Sequence, residues 1–557
     1  MKTKKTQVVS LLLICIMLVS LFSGCGKKAS ITTQKDNNSS SSSTETKKEE
    51  NQSSQSESGV PDYMNATGLP IAKEKITIKV LAQKNAGGTE WDELELFKKV
   101  EEMTNIHFEY ELAEPSTYVE KKNLALASGE YPDVIMREIS INDEETYGPQ
   151  GVFQNLKPLI EQYAPNLTKR LQEHPDMKAA ITAIDGNIYA LPYYMQTSTL
   201  NPHLCFFNTK WLENTGMSMP ATTDDLYELL KAFKEKDANG NGDPNDEIPW
   251  SGAGLGSLNG FILPAFTGLS GGPTFDIKDD KVVFTPMLPE FKEYLAYINK
   301  LYKDGLIDPE MLTQTSQQSL AKSKSGVVGI YNASPTNLPP ETTDLQDCLE
   351  PLTSPFNNEK VVKAYAPIYT GRGVITDKCK YPEAMMRWFD LWYAKEEESI
   401  EGLNGNTLFV GLENVHWEYA DQDKKTYRFI DPITSFSDIN KSITVNMHMP
   451  SYLNFLAYPS DFPLMEMKVK AVQTRQEPYM KPFFPGNVRY TKEEHERATL
   501  LETDINNYVE QMIAKFLVGD EPIENFDKYI STLESMNIGE LLKIKQDVYD
   551  RWLASKN

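Results

Sequence analysis

Apolar length is the first thing in short supply. The most apolar stretch, residues 8–22, is interrupted by two serines and a cysteine and falls short of the roughly twenty residues a helix needs to cross a hydrocarbon core. Positive charge is scarce too. Against 79 aspartates and glutamates stand 56 lysines and arginines, and the net charge of -23 argues against nucleic acid or an anionic bilayer as a direct partner. Cys15 and Cys25 lie near the start, so Cys205, Cys348 and Cys379 could form at most one disulfide, and none is expected in a chain this large. The six histidines stand alone, without an HExxH pair for a catalytic zinc. No GxxxxGK[ST] phosphate loop is present and no GxSxG motif is expected, so neither a hydrolase of that class nor an ATPase is expected in this chain, and any ATP hydrolysis linked to it belongs to a separate subunit. A glycan-acting enzyme survives these absences, because two acidic residues on different strands suffice for it.

What is present begins with a secretory layout. Lys2, Lys4 and Lys5 precede the apolar stretch, and Ser23 and Gly24 precede Cys25. This segment resembles the bacterial lipobox, with Phe22 where that motif usually has leucine. The resemblance implies a signal peptide over 1–24, lipid on Cys25, and localisation at the outer face of the cytoplasmic membrane of a Gram-positive type of cell. The following stretch is Lys, Ser, Thr, Gln, Asn and Glu with almost nothing apolar, and residues 25–65 read as a polar tether. The membrane is then met through lipid only. Roughly 490 residues remain, too many for one core and enough for two large domains.

The folded body opens legibly. Ile76, Ile78 and Val80 alternate as a strand, and Trp91, Leu94, Phe97 and Val100 recur three apart on a helix that Thr89 is expected to cap. Ile106 to Leu112 alternate again, a helix over 118–128 stops at Gly129, and a strand follows over 133–136. The β-α-β-α-β order predicts a parallel sheet covered on both faces, with ligands beyond the carboxyl ends of its strands. That rule selects Asn85 in the turn after the first strand, and Arg137 and Glu138 after the third.

Seven strings in order carry a family resemblance: SGEYPDVIM (128–136), GVFQNLKPLIEQYAPN (151–166), DGNIYALPYY (185–194), FNTKWLENTGMSMPATTDDLYELLKAF (207–233), GVVGIYN (326–332), PEAMMRWFDLWY (382–393) and GLNGNTLFVGLENVHWEY (402–419). Together the chain resembles the bacterial extracellular solute-binding proteins of the maltose-receptor type, in the large lipoprotein subgroup associated with oligosaccharide ABC import. The resemblance implies a periplasmic-binding-protein-like type II α/β fold: two discontinuous lobes joined by hinge segments, with a ligand cleft between them. The first lobe is expected over 70–193 and 366–435 and the second over 194–365 and 436–557. A monomeric receptor handing an oligosaccharide to an ABC-type permease follows from the same resemblance. The alternatives are a surface glycan-acting enzyme and a receptor for a peptide or other non-sugar ligand.

Two constellations stand out. In DANGNGDPNDEIP (237–249), Asp237, Asn239 and Asn241 alternate with small residues, and Gly242 permits a sharp turn around a hard cation such as Ca2+. Glu247 stands eleventh where an EF-hand has its glutamate twelfth, so the likeness is to the subgroup's calcium loop, with Asp243 offering its carbonyl and Asp246 and Glu247 closing the structural site over 237–247. The second is aromatic. Sugars stack on ring faces and are held by planar polar groups, which selects Tyr193, Tyr194, Trp250, Trp417 and Tyr419, with Arg372 in its Gly-Arg-Gly context as a fork for hydroxyl or carboxylate. Trp91, Trp388 and Trp392 read as core.

Overall fold

The alternation at residues 76–80 becomes β1 (Ile76–Gln83), in which Ile76 and Ile78 are buried and Thr77 and Lys79 are exposed. At Val80, Leu81 and Ala82 both faces are covered, as befits the centre of a parallel sheet. β2 (Ile106–Ala113) and β3 (Val134–Met136) flank β1 in parallel. The helices between them, Glu95–Thr104 and Pro115–Ser128, end on left-handed Asn105 and Gly129. Thr89 does not cap the first. A short turn, Trp91–Glu93, intervenes, and the Thr89 hydroxyl donates to the Lys441 carbonyl at 2.6 Å.

The computed structural model describes residues 59–85, 88–196, 205–331, 346–445, 449–461 and 463–556. The expected signal segment, Cys25 and residues 26–58 of the expected tether lie outside the described residues, whereas 59–65, expected in the tether, belong to the folded body: Met64 is buried in the first core and the Tyr63 hydroxyl donates to Glu383 at 2.6 Å. Among the described residues no helix is long and apolar enough to cross a membrane.

β4 (Leu191–Met195) ends the first passage through one lobe. β5 (Phe206–Asn208), β6 (Ile248–Ser251), the hairpin β7 (Phe275–Lys278) and β8 (Lys281–Phe284), β9 (Val328–Tyr331) and β10 (Gln346–Cys348) follow in the other. The chain returns through β11 (Val362–Lys363) to β12 (Ile368–Ile375), then makes β13 (Trp417–Tyr419), β14 (Thr426–Phe429), β15 (Ser451–Leu453), β16 (Tyr458–Pro459) and β17 (Met480–Lys481). The two main sheets run β15-β4-β12-β3-β1-β2 and β10-β5-β9-β6, giving the two-lobed α/β architecture. Each lobe has its own core. Trp91, Trp388 and Trp392 fill one and Trp211, Trp250 and Phe516 the other, and truncating a ring of this size to alanine costs about 3–5 kcal/mol.

Residues 436–445 and 449–453, expected from sequence in the second lobe, pack with the first lobe. β15 pairs in parallel with β4, completing an edge that would otherwise expose unpaired backbone groups, and Val445, Met449 and Tyr452 enter the first core. β4, β12 and β15 therefore lie side by side where the chain leaves one lobe for the other. Cys205, Cys348 and Cys379 are all buried, and Cys348 and Cys379 are free thiols.

Candidate functional site

Two backbone irregularities meet at one end of the central strands β3 and β12 of the first sheet. Immediately after β3, Arg137 (φ 74°) and Glu138 (φ 51°) both occupy the left-handed region, which costs a side-chain-bearing residue roughly 1–2 kcal/mol each. Opposite them β12 carries a register shift between Tyr369 and Gly373, the kind of irregularity that re-aims a side chain. The two features brace each other. Arg137 N–H donates to the Arg372 carbonyl at 2.8 Å and Ile139 N–H to the Gly371 carbonyl at 3.1 Å. From below, the Tyr118 hydroxyl donates to the Met136 carbonyl at 2.6 Å and Lys122 Nζ to the Glu138 carbonyl at 2.8 Å.

These constraints bring Asn85, Arg137, Glu138 and Arg372 together. Arg137 is 1% exposed; its Nη1 donates to the Gln83 carbonyl and to Asn85 Oδ1, each at 2.8 Å, and its guanidinium lies 5.4 Å from the centre of the Trp91 ring. Asn85 in turn donates to the Val445 carbonyl, tying the turn after β1 to the segment before β15. Arg372 reaches Glu138 Oε1 at 3.5 Å and sits over Tyr369, 5.4 Å from its ring centre. Burial, then the like charge of Arg372, pushes the Arg137 guanidinium down to about 10. Arg372 is lowered as well, chiefly by burial, with Glu138 opposing.

An aromatic cluster continues from this point. Tyr193 and Tyr369 rings lie 5.7 Å apart, the Tyr365 and Tyr369 hydroxyls meet at 3.2 Å, and the same cluster takes in Trp417, Tyr419, Tyr427 and Phe455. Tyr419 also borders a cavity of about 460 Å³ with Glu396, Asn406, Lys424 and Phe455. Tyr194 does not join. Successive side chains on a strand point to opposite faces, so Tyr194 stacks instead on His174 (4.3 Å) and Tyr452 (5.1 Å). Trp250 is wholly buried in the second core, against Phe261 at 5.9 Å. Tyr365 and Tyr369 are not among the residues selected from sequence, although an aromatic pair four apart beside Gly-Arg-Gly is the available signal. One sequence expectation needs correction. Residues 268–272 spell GLSGG, a G-x-S-x-G pattern, but Ser270 is 3% exposed, donates to the Lys481 carbonyl at 3.2 Å and follows the short helix Leu263–Thr267 rather than a strand, so it is no nucleophile elbow.

The acidic loop lies elsewhere, after helix Thr223–Glu235, whose capping box joins Thr222 and Asp225. Gly240 (φ 75°) and Gly242 (φ 91°) let it turn. Asp237 Oδ1 and Oδ2 accept from Asn241 and Gly242 N–H, and the Asn239 and Asn241 amides donate to the two oxygens of Asp246 at 2.8 and 2.7 Å. Asp243 accepts from Asn245 N–H. Glu247 Oε1 accepts from Ala238 N–H at 3.0 Å, whereas its Oε2 is buried without a donor. Burial, with Asp246 adding to it, holds the Glu247 carboxyl above its ordinary value. Among the described residues no three or more His, Cys, Asp or Glu gather in a metal-ready cluster.

The family described as bacterial extracellular solute-binding protein matches residues 85–398, more than half of the chain. The chain belongs to this family. Its members bind solutes rather than transform them, and they work outside the cytoplasm. The solute-binding protein is 27% identical over 537 residues to the fructooligosaccharide ABC transporter substrate-binding protein FusA of Streptococcus pneumoniae serotype 4, covering 90% of this chain and 96% of FusA. Its fold is similar to that of a FusA EF-hand mutant in complex with fructo-nystose, at a TM-score of 0.66 and 26% identity over 86% of this chain and 100% of the other. It is also similar to a solute-binding protein from Bifidobacterium longum infantis described as binding HMO and associated with an ABC transporter. That likeness, at a TM-score of 0.74 and 21% identity over 86% and 99% of the two chains, concerns the fold alone.

Proposed function

We propose that this solute-binding protein captures an oligosaccharide between its two lobes and delivers it to an ABC-type permease whose ATPase is a separate subunit. The observation that carries the reading is the braced edge at Arg137, Glu138 and Arg372, where two strained residues and a shifted strand meet an aromatic cluster suited to sugar faces. Similarity to FusA, which is named for fructooligosaccharide, supports the same ligand class. Of the described residues, the first lobe comprises 59–85, 88–195, 368–445 and 449–453 and the second 205–331, 346–363 and 463–556, and closing the two on each other encloses the ligand. Thermal shift and calorimetry over neutral and acidic oligosaccharides and peptides test it. A sugar should bind with micromolar or tighter affinity and be recovered unchanged; new glycan products, or binding of peptides alone, would sink the receptor reading.

Calcium fits the 237–247 loop: every offered atom is a hard oxygen, and the buried Glu247 Oε2 has no hydrogen-bond donor. Asp237, Asn239, Asn241, Asp246 and Glu247 would supply side-chain oxygens and Asp243 its carbonyl. Bound calcium supplies charge that draws these oxygens together. The residues around the loop make the role structural, since Asn214 donates to the Ala238 carbonyl at 2.9 Å and Lys236 to that of Thr215 at 2.5 Å, so loop order holds neighbouring helices. At free calcium a hundredfold above its dissociation constant, binding stabilises by about 2.7 kcal/mol. A chelator should therefore lower Tm, and Glu247→Gln should abolish that response; an unchanged Tm on chelation rules the site out.

Lipid on Cys25 keeps the receptor beside its permease. Cys25→Ser should release the protein into the medium with ligand affinity intact, and retention on cells would disprove the anchor. Thirty-odd polar residues of tether confine the binding body near the membrane, which raises its effective concentration at the importer.

A further inference from the structure

We infer that Arg372 reads a carboxylate and that the preferred ligand is an acidic, uronate-bearing oligosaccharide; this rests on the sugar-receptor reading above. The first ground is local charge. Among the described residues the Arg372 guanidinium, beside the like charge of Arg137, has one ion-pair partner, the Glu138 carboxylate, which it touches at 3.5 Å and which is itself 43% exposed. Lys122, the third cation at this edge, is already matched: its ammonium pairs with Asp143 and donates to the Glu138 carbonyl. Positive charge is thus in excess here, on a chain whose net charge is -23.

The second ground is a division of labour between the two arginines. Arg137 Nη1 is engaged with the Gln83 carbonyl and Asn85, so this side chain pins the turn after β1. Arg372 is held far more loosely. Its contact to Glu138 is longer than an ordinary N–H···O bond, and its Nε is buried without an acceptor, although the side chain is only 14% exposed. The backbone aims it regardless, because Gly371 and Gly373 flank it at the register shift and its own carbonyl is fixed by Arg137 N–H. A planar fork in this state matches the two oxygens of a carboxylate.

Lobe closure sharpens the choice. Excluding water around an under-compensated guanidinium is unfavourable unless the ligand brings negative charge, so the closed state discriminates against a neutral sugar that supplies only hydroxyls. The chain's overall negative charge opposes this less than its size suggests, since exposed charges are screened beyond about 8 Å at physiological ionic strength while a contact pair is not.

The test compares trigalacturonate, its methyl ester and the neutral sugar nystose by calorimetry on the full chain. Trigalacturonate should bind at least about tenfold more tightly than its ester, and Arg372→Gln should weaken the acid about a hundredfold and the ester far less, collapsing the acid-to-ester ratio. Arg372→Lys should retain part of the preference, keeping the charge and losing the fork. Equal affinity for acid and ester, or equal loss of both in Arg372→Gln, overturns the inference. Tight binding of nystose without trigalacturonate also overturns it and leaves the receptor reading standing, whereas no binding of any sugar removes both. Should Arg372→Gln not fold, as judged by Tm, the acid-to-ester ratio of the unmodified protein decides alone.

Discussion

Gly371→Val should abolish ligand capture and destabilise the fold by about 3 kcal/mol or more. A Cβ at this position would lie 1.7 Å from the Ile139 carbonyl oxygen and 2.8 Å from its carbon, both backbone atoms that no rotamer change can move. The residue also has φ +66°, where a branched side chain is strained even in open space. Relief requires pushing residues 137–139 away from β12, which breaks the pairs from Arg137 and Ile139 N–H to the Arg372 and Gly371 carbonyls. Arg137, Glu138 and Arg372 would then separate. Gly256→Ala is the matched control: its added Cβ meets nothing within 4 Å, and no unfavourable φ stands against it, so Tm and affinity should stay put. Wild-type Tm and affinity in Gly371→Val would show that this close approach does not organise the site.

The same geometry explains which parts of the molecule were readable from sequence. β1, the helix Thr223–Glu235 and the core tryptophans Trp388 and Trp392 announce themselves through local periodicity, because a buried face repeats every two or 3.6 residues whatever packs on it. Arg137, Glu138 and Arg372 were reachable separately, two by the strand-end rule and one as an arginine between glycines. Their meeting depends on the antiparallel register of β12 against β3, which no local pattern records. Tyr193 and Tyr194 looked equivalent, and the pleat sends them to opposite faces. Trp250, selected from sequence as a stacking ring beside the acidic loop, is turned inward on β6. Likewise the residues before β15 seemed free to cross to the second lobe, until β4 is seen to need a partner on its open edge.

Arg489→Met should lower stability by about 3–5 kcal/mol, the usual consequence of stranding one member of a buried ion pair. Arg489, in the segment entering helix Lys492–Val518, is 6% exposed and reaches into the first lobe. Its Nη2 meets Glu144 Oε2 at 2.9 Å and the Ala180 carbonyl at 2.9 Å, and its Nη1 meets Glu145 Oε1 at 3.3 Å. Arg551 secures it from behind by donating to its carbonyl at 2.7 Å, and Asn487 donates to the Ile368 carbonyl at the start of β12. The helix it grips, Ile141–Tyr147, also carries Asp143, the partner of Lys122 under Glu138, so one short helix links the lobe contact to the turn at Arg137 and Glu138. Burial pushes Glu144 up to about 7, opposed by Arg489 and helped by Glu145 and Asp143. An acid raised in the folded state binds more protons there than when unfolded. Its contribution is therefore fully present below the ordinary 4.5 and is lost as pH rises through about 7. Asp390, also raised to about 7 by burial, acts with the same sign. Glu144→Gln should accordingly reduce, but not remove, the fall in Tm between pH 5 and 8, a slope measurable by scanning calorimetry. The decisive comparison is Glu144→Leu combined with Arg489→Met: replacing both charges with apolar groups should recover most of the stability that Arg489→Met alone loses. A double variant no more stable than the single one would mean that Arg489 acts through Ala180 and Glu145 instead of through Glu144.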